Sequence, residues 1–402
     1  MAWTVLARHA DFRRLFAGSS VSLLGSSVTT VALPLTAVVL LKASPTQMGL
    51  LGALALLPHL VLGLPAGVWV SLLPYRRLLI LTDAAQALLI GAVPVLAAAG
   101  LLEFWHLYVI VLLTGVAGLF EIVAAQSFTP RLVPRDQLLP ANSALMLSNA
   151  TVNTTGSALG GLLVSAVGGP FALVVDAASF VVSALCKARI RDPGRNPATA
   201  GRHGGMFEGM RAVFGHHILR AVILAAAVGA FAGQAQAVVL VLYLVHDLGL
   251  SSGVIGVLIA LSGVAGVAGA GVATHVTHRL GPGPAFIMGM LLASVGGLAL
   301  AAATGPLVLA AAQCLRGGAH SLYGVNQQTF RQALVPDRLL ARVNATWRFL
   351  IYGGMSLGAL LGGLLGTVLG LRLTLVVTSC VMLLGTGIAW ASPLRSLRKL
   401  PC

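Results

Sequence analysis

The chain has 402 residues, of which 57% are hydrophobic and only 9% charged, too few polar groups to cover a water-soluble fold. Its formal net charge of +15 would suit a nucleic-acid partner. The basic residues, however, lie in short segments between long apolar stretches and form no basic face interleaved with aromatics, so composition points to a membrane and away from nucleic acid.

In chain order, the apolar stretches predict twelve transmembrane helices at about 15–41, 46–70, 77–100, 104–128, 138–167, 170–190, 218–245, 252–275, 283–303, 306–329, 343–368 and 371–391. Each is long enough to cross a hydrocarbon core of about 30 Å at about 1.5 Å per residue. Runs such as Val222–Val228 are continuously apolar, whereas a barrel strand alternates, so helices are expected. The first run is too long for a signal-peptide core and is expected to remain as a span. The only long polar interval, Arg191–His217, reads as a cytoplasmic linker between a bundle at 1–190 and a bundle at 218–402. Within it, Phe207–Arg220 is a candidate interfacial helix.

Charge placement sets the orientation. Arg8, Arg13, Arg14, Arg76, Arg77, Arg131, Arg135, a cluster from Lys187 to Arg220, Arg279, Arg331, Arg338, Arg342, Arg348 and the tail Arg395 to Lys399 fall on one side, while the other keeps only Lys42 and Arg372. The positive-inside rule then places both termini in the cytoplasm, and the basic side also attracts anionic lipid heads. High Ala, Gly and Arg usage points to a GC-rich bacterial genome, so the expected location is a bacterial plasma membrane. Cys186, Cys314, Cys380 and Cys402 form no Cys-x-x-Cys pair and read as small buried hydrophobes.

The two halves repeat. A shift of 202 positions brings Leu132, Val133, Pro134, Leu138 and Asn142 onto Leu334, Val335, Pro336, Leu340 and Asn344. The same shift superposes Gly156, Gly160 and Gly161 on Gly358, Gly362 and Gly363, and Arg77 on Arg279.

These segments carry a family resemblance. Phe120-Glu121, the run from Phe128 through Pro134, Arg135 and Asp136 to Asn142, the glycine-rich fifth span and Val175 to Phe180, with the partner run Gln328 to Asn344, resemble the major facilitator superfamily, in its macrolide-efflux-type drug exporter branch. The resemblance covers nearly the whole chain. It implies an all-α membrane protein of twelve helices in two pseudo-symmetric six-helix bundles, whose first, fourth, seventh and tenth spans line a central cavity. Three positions depart from the pattern. Ser71 and Leu72 replace the charged pair of the loop after the second span, Gly25-Ser26 lacks the acid often found in the first, and Gly156-Ser157 replaces a Gly-Pro step in the fifth.

Ionisable groups at membrane depth are costly and therefore candidates for function. Glu121 in the fourth span is the candidate proton- or cation-responsive carboxylate. Arg316 in the tenth is a candidate cavity charge that biases it or binds an anionic substrate group. The structural alternatives are that Glu121 snorkels to the interface and Arg316 caps helix carbonyls. His320, one turn after Arg316, is a candidate titrating group; Gln234 and Asn149 are candidate neutral donors to a substrate, as are Gln236 and Asn153. Arg76, Arg77, Arg135, Asp136, Asp337 and Arg338 are candidate cytoplasmic gate contacts. Asp83, Asp176 and His59 read as structural.

Other motifs lack context. The glycines Gly263, Gly266, Gly269 and Gly271 follow no strand, His275 and His278 have no carboxylate or thiol partner, and no phosphate loop or catalytic constellation is present, so no enzyme activity, cofactor or metal is expected. The expected function is export of hydrophobic or amphipathic small molecules by alternating access, coupled to protons, by a chain that suffices as a monomer. The alternatives are a gradient-independent lipid or metabolite facilitator and a non-transporting membrane receptor.

Overall fold

The computed structural model describes residues 2–191 and 206–398, and every regular element among them is a helix. A short α1 (Ala2–Arg8) leads into α2 (Ala10–Leu35), which ends in a π turn, Thr36–Leu40. Then come α3 (Pro45–Val61), α4 (Gly63–Leu72), α5 (Tyr75–Ala98), α6 (Phe104–Leu132), α7 (Leu138–Val167) and α8 (Gly169–Ala188). From residue 206 onward, α9 (Met206–Gly215) precedes α10 (His217–Leu242), which also ends in a π turn, Tyr243–Asp247. The chain continues through α11 (Ser252–Leu280), α12 (Pro282–Ala302), α13 (Pro306–Leu334), α14 (Asp337–Leu369) and α15 (Leu371–Trp390).

Nine helices among the described residues are long and apolar enough to cross a membrane, and α3 with α4 makes a tenth span bent by 67°. The sequence reads 46–70 as one straight span; the break falls beside Leu62, between Pro58 and Pro65, whose rings and missing N–H groups interrupt the backbone ladder. The two remaining long helices, α7 with 30 residues and α13 with 29, fall outside that count of spans. Taken with the ten, they are consistent with the expected twelve. Of the stretch 207–220 expected as one helix, the part to Gly215 lies in α9, which packs on α10 and α14, and the part from His217 opens α10.

The sharpest reversals use glycine. Gly168 joins α7 to α8 at φ 84°, ψ 159°, and Gly370 joins α14 to α15 at φ 81°, ψ 163°. That region is essentially closed to side-chain-bearing residues. The two glycines stand 202 positions apart, the spacing of the sequence repeat.

The helices cluster into two compact units, one of residues 1–42, 61–202 and 251–257, the other of residues 43–60, 203–250 and 258–402. In the first, α2 packs on α7 and α8, and α5 on α6 and α8. In the second, α10 packs on α14 and α15, and α12 on α13 and α15. Each pairing in one unit thus has its counterpart in the other. The first unit's core holds Leu15, Leu79, Ala124, Phe128 and Ile190; the second holds Val222, Phe286, Tyr323 and Phe330. Large apolar side chains left outside, such as Leu88 at 77% exposure and Leu307 at 84%, fit a hydrocarbon surrounding.

Candidate functional site

The densest polar cluster inside a span joins α5, α6 and α8. Lys187 lies in the last turn of α8, where the helix dipole favours a cation. Its Nζ donates to Asp83 Oδ1 on α5 at 2.9 Å and to Glu121 Oε1 on α6 at 2.8 Å. Gln86, one turn beyond Asp83, donates from Nε2 to Glu121 Oε2 at 2.8 Å, which leaves both oxygens of that carboxylate engaged. The side chains of Lys187 and Asp83 are fully buried and that of Glu121 is 16% exposed. Asp83 Oδ2 is buried without a hydrogen-bond partner.

Counting formal charges, two carboxylates share one ammonium, so the cluster retains one negative charge out of water. Such a charge is costly where no further cation reaches it. A bound proton removes it, and the free Asp83 oxygen offers a seat. Beside the cluster, a groove of about 510 Å³ between α5 and α6 is walled by Leu78, Leu89, Val116 and Phe120, a lipid-facing surface.

A second buried carboxylate, Asp176 on α8, has no ion pair among the described residues. It accepts from the hydroxyls of Thr29 and Ser26 on α2, the latter at 3.5 Å, and from Ser179 at 3.3 Å. Gly25 lets α2 approach: a Cβ there would strike Ser179 Oγ and lie 2.8 Å from the Asp176 Cα.

On α13, Arg316 is half-buried and donates from Nη1 to Gln313 Oε1 at 2.9 Å, while His320 is exposed and shares a 2.6 Å hydrogen bond with the Tyr323 hydroxyl. Arg316 and Glu121 belong to different units. Gln234 is half-buried on α10 and Asn149 exposed on α7, whereas Gln236 is buried and donates to Ser379 Oγ at 2.9 Å. Of the gate candidates, Arg76 donates to the Ala188 carbonyl at the end of α8, and Arg77 and Asp136 are exposed. The side chains of Arg135, Asp337, Arg338 and Asn153 lie outside the described residues.

The structure thus groups Glu121 with Asp83, which the sequence reads as structural, and with Lys187, which it assigns to the basic cytoplasmic cluster. The available signal was register: Asp176, Ser179, Ser183 and Lys187 recur at helical spacing along the buried face of α8. Arg14 adds a tie between α2 and the end of α8 that the sequence did not reveal, donating to Asp11 and to the Arg189 carbonyl, both at 2.7 Å.

Paired helix packings repeated in two halves, with ionisable groups buried inside a span, define a multi-pass membrane transporter of the major facilitator fold. The chain belongs to the transmembrane secretion effector family, whose sequence profile matches residues 2–400. It is similar to the multidrug efflux pump Tap of Mycolicibacterium fortuitum, with 29% identity over 210 residues, a stretch spanning 50% of this chain and 51% of that protein. The match therefore covers about half of that relative.

Among solved structures, the nucleoside transporter NupG aligns with a TM-score of 0.77 at 13% identity, over 95% of this chain and 98% of that one. A bacterial homologue of the human lysosomal transporter Spinster aligns with a TM-score of 0.77 at 16% identity, over 96% and 97%. Identities this low speak to the fold alone.

Proposed function

We propose that this transporter exports hydrophobic or amphipathic small molecules from a bacterial cell across the plasma membrane, driven by the proton gradient. The observation that carries the coupling is the pair of carboxylates, Asp83 and Glu121, held on the single ammonium of Lys187. Protonation of the pair neutralises the cluster and deprotonation restores its charge, so proton occupancy can bias two conformations differently. The efflux pump Tap supports the substrate class.

In this reading the halves 1–190 and 218–402, joined by 191–217, rock about a midplane path to which Glu121, Arg316, His320, Gln234 and Asn149 contribute. Both termini are cytoplasmic. Arg76, Arg77, Arg135, Asp136, Asp337 and Arg338 belong to the cytoplasmic gate, and one chain suffices.

A gradient-independent facilitator is the second reading, favoured by Ser26, Ser71 and Leu72 at positions where charges are usual for the superfamily. Energised inside-out vesicles from cells expressing the chain, supplied from outside with a lipophilic cationic dye, separate the two. Proton-driven export predicts accumulation that collapses with a protonophore and is lost in the Glu121→Gln variant. Dye exchange indifferent to the protonophore supports the facilitator.

A further inference from the structure

In the second unit, Arg331 and Arg348 have no ion pair among the described residues. Arg331, near the end of α13, lays its guanidinium over the Trp347 ring of α14, Cζ 4.5 Å from the centroid. His59, near the end of α3, stacks on Tyr352 of α14 with centroids 4.7 Å apart. Arg348, next to Trp347 and exposed, is near enough to act electrostatically on both. Among the described residues the ion pairs are Arg14 with Asp11 and Lys187 with Asp83 and Glu121, so none involves Arg331 or Arg348. Arg331 Nε and His59 Nδ1 are buried and without a hydrogen-bond partner.

Like charges brought together repel, and a buried donor with nothing to donate to is rare in a native protein. Here both occur at one place, with Trp347 and Tyr352 fixing two of the three groups by their faces. That combination is pre-arranged for an anion: guanidinium groups bind planar or tetrahedral oxyanions through paired N–H bonds, and the same oxygens would satisfy the orphaned Arg331 Nε–H and, in the tautomer that carries the proton there, His59 Nδ1. Phe349, next to Arg348 on α14 and 39% exposed, offers an apolar surface for a hydrocarbon tail.

We infer that Arg331, Arg348 and His59 form a binding site for the phosphate-type anionic head of an amphiphile. The site is independent of the coupling cluster. A membrane phospholipid and a free phosphate share the head-group chemistry, and the experiment distinguishes them.

The test uses the full chain purified in detergent, with native mass spectrometry after addition of dioleoylphosphatidylglycerol, dioleoylphosphatidylcholine or inorganic phosphate. A lipid site predicts preferential retention of phosphatidylglycerol over phosphatidylcholine, not displaced by inorganic phosphate, with each of Arg331→Gln and Arg348→Gln weakening retention by about fivefold. A free-anion site predicts retention of inorganic phosphate and its displacement of the lipid, with the same loss in both variants. Equal retention of the two lipids together with no phosphate binding, or anion binding unchanged in both variants, overturns the inference. Because Arg348 is exposed, its variant leaves the packing intact and carries the test should Arg331→Gln fail to fold.

Discussion

Lys187 and Glu121 meet across 66 positions of sequence, Nζ donating to Oε1 at 2.8 Å. Since the same nitrogen also serves Asp83, 104 positions away, one ammonium ties three helices of the first unit and leaves their charge unbalanced by one. Stability and proton affinity are therefore properties of the same three side chains.

Removal of the ammonium strands two buried carboxylates. Lys187→Met is expected to lower stability by about 3–5 kcal/mol, since breaking a buried ion pair from one side leaves uncompensated charge. The triple variant Lys187→Met, Asp83→Asn, Glu121→Gln removes every charge and should regain most of that loss. Thermal unfolding of the detergent-purified variants reads both effects. A Lys187→Met protein as stable as wild type contradicts the ion cluster.

Close approach of α2 to α8 rests on Gly25. Gly25→Ala places a methyl against Ser179 and Asp176 and should cost about 1–3 kcal/mol through displacement of the two helices. Gly67→Ala on α4 is the control, since a methyl there meets nothing within 4 Å. It should be neutral or stabilising by up to about 1 kcal/mol. Equal unfolding temperatures for the two variants would contradict the packing argument.

At the start of α10, outside the span, His216 Nδ1 accepts from the Leu219 N–H at 3.5 Å. Burial, and secondarily the neighbouring His217, hold its pKa below the ordinary 6.5. The unfolded chain thus takes up the proton first. The stabilisation is complete above about pH 6.5 and is lost as pH falls through the folded value. His216→Asn keeps a cap that does not titrate. The stability difference, wild type minus variant, should decline between about pH 7.5 and about pH 5. A difference constant with pH would refute the assignment.

Sequence and structure agree most where hydropathy alone decides. Long apolar runs, which lipid imposes residue by residue, and the 202-residue repeat were legible, whereas the glycine at each matching reversal, Gly168 and Gly370, emerged only with the backbone geometry. The bend near Leu62 was not, since Pro58 and Pro65 are compatible with either a kinked or a broken helix and only packing chooses. Glu121 stood out as a lone acid within an apolar stretch. Lys187 did not, because Arg189 and Arg191 follow it and make a helix terminus look like the start of a basic loop. Its partners lie on other helices, and pairing across 66 and 104 positions leaves no mark in local spacing.

The most direct test is infrared titration of the purified chain, following the C=O stretch that only a protonated carboxyl group displays. With Asp176→Asn as the background, which removes the other buried carboxyl, the account predicts one such band, lost reversibly as pH rises and absent when Asp83→Asn and Glu121→Gln are added. Carboxyl groups all ionised throughout the pH range where that background protein stays folded, or a band that survives once both substitutions are added, would contradict it.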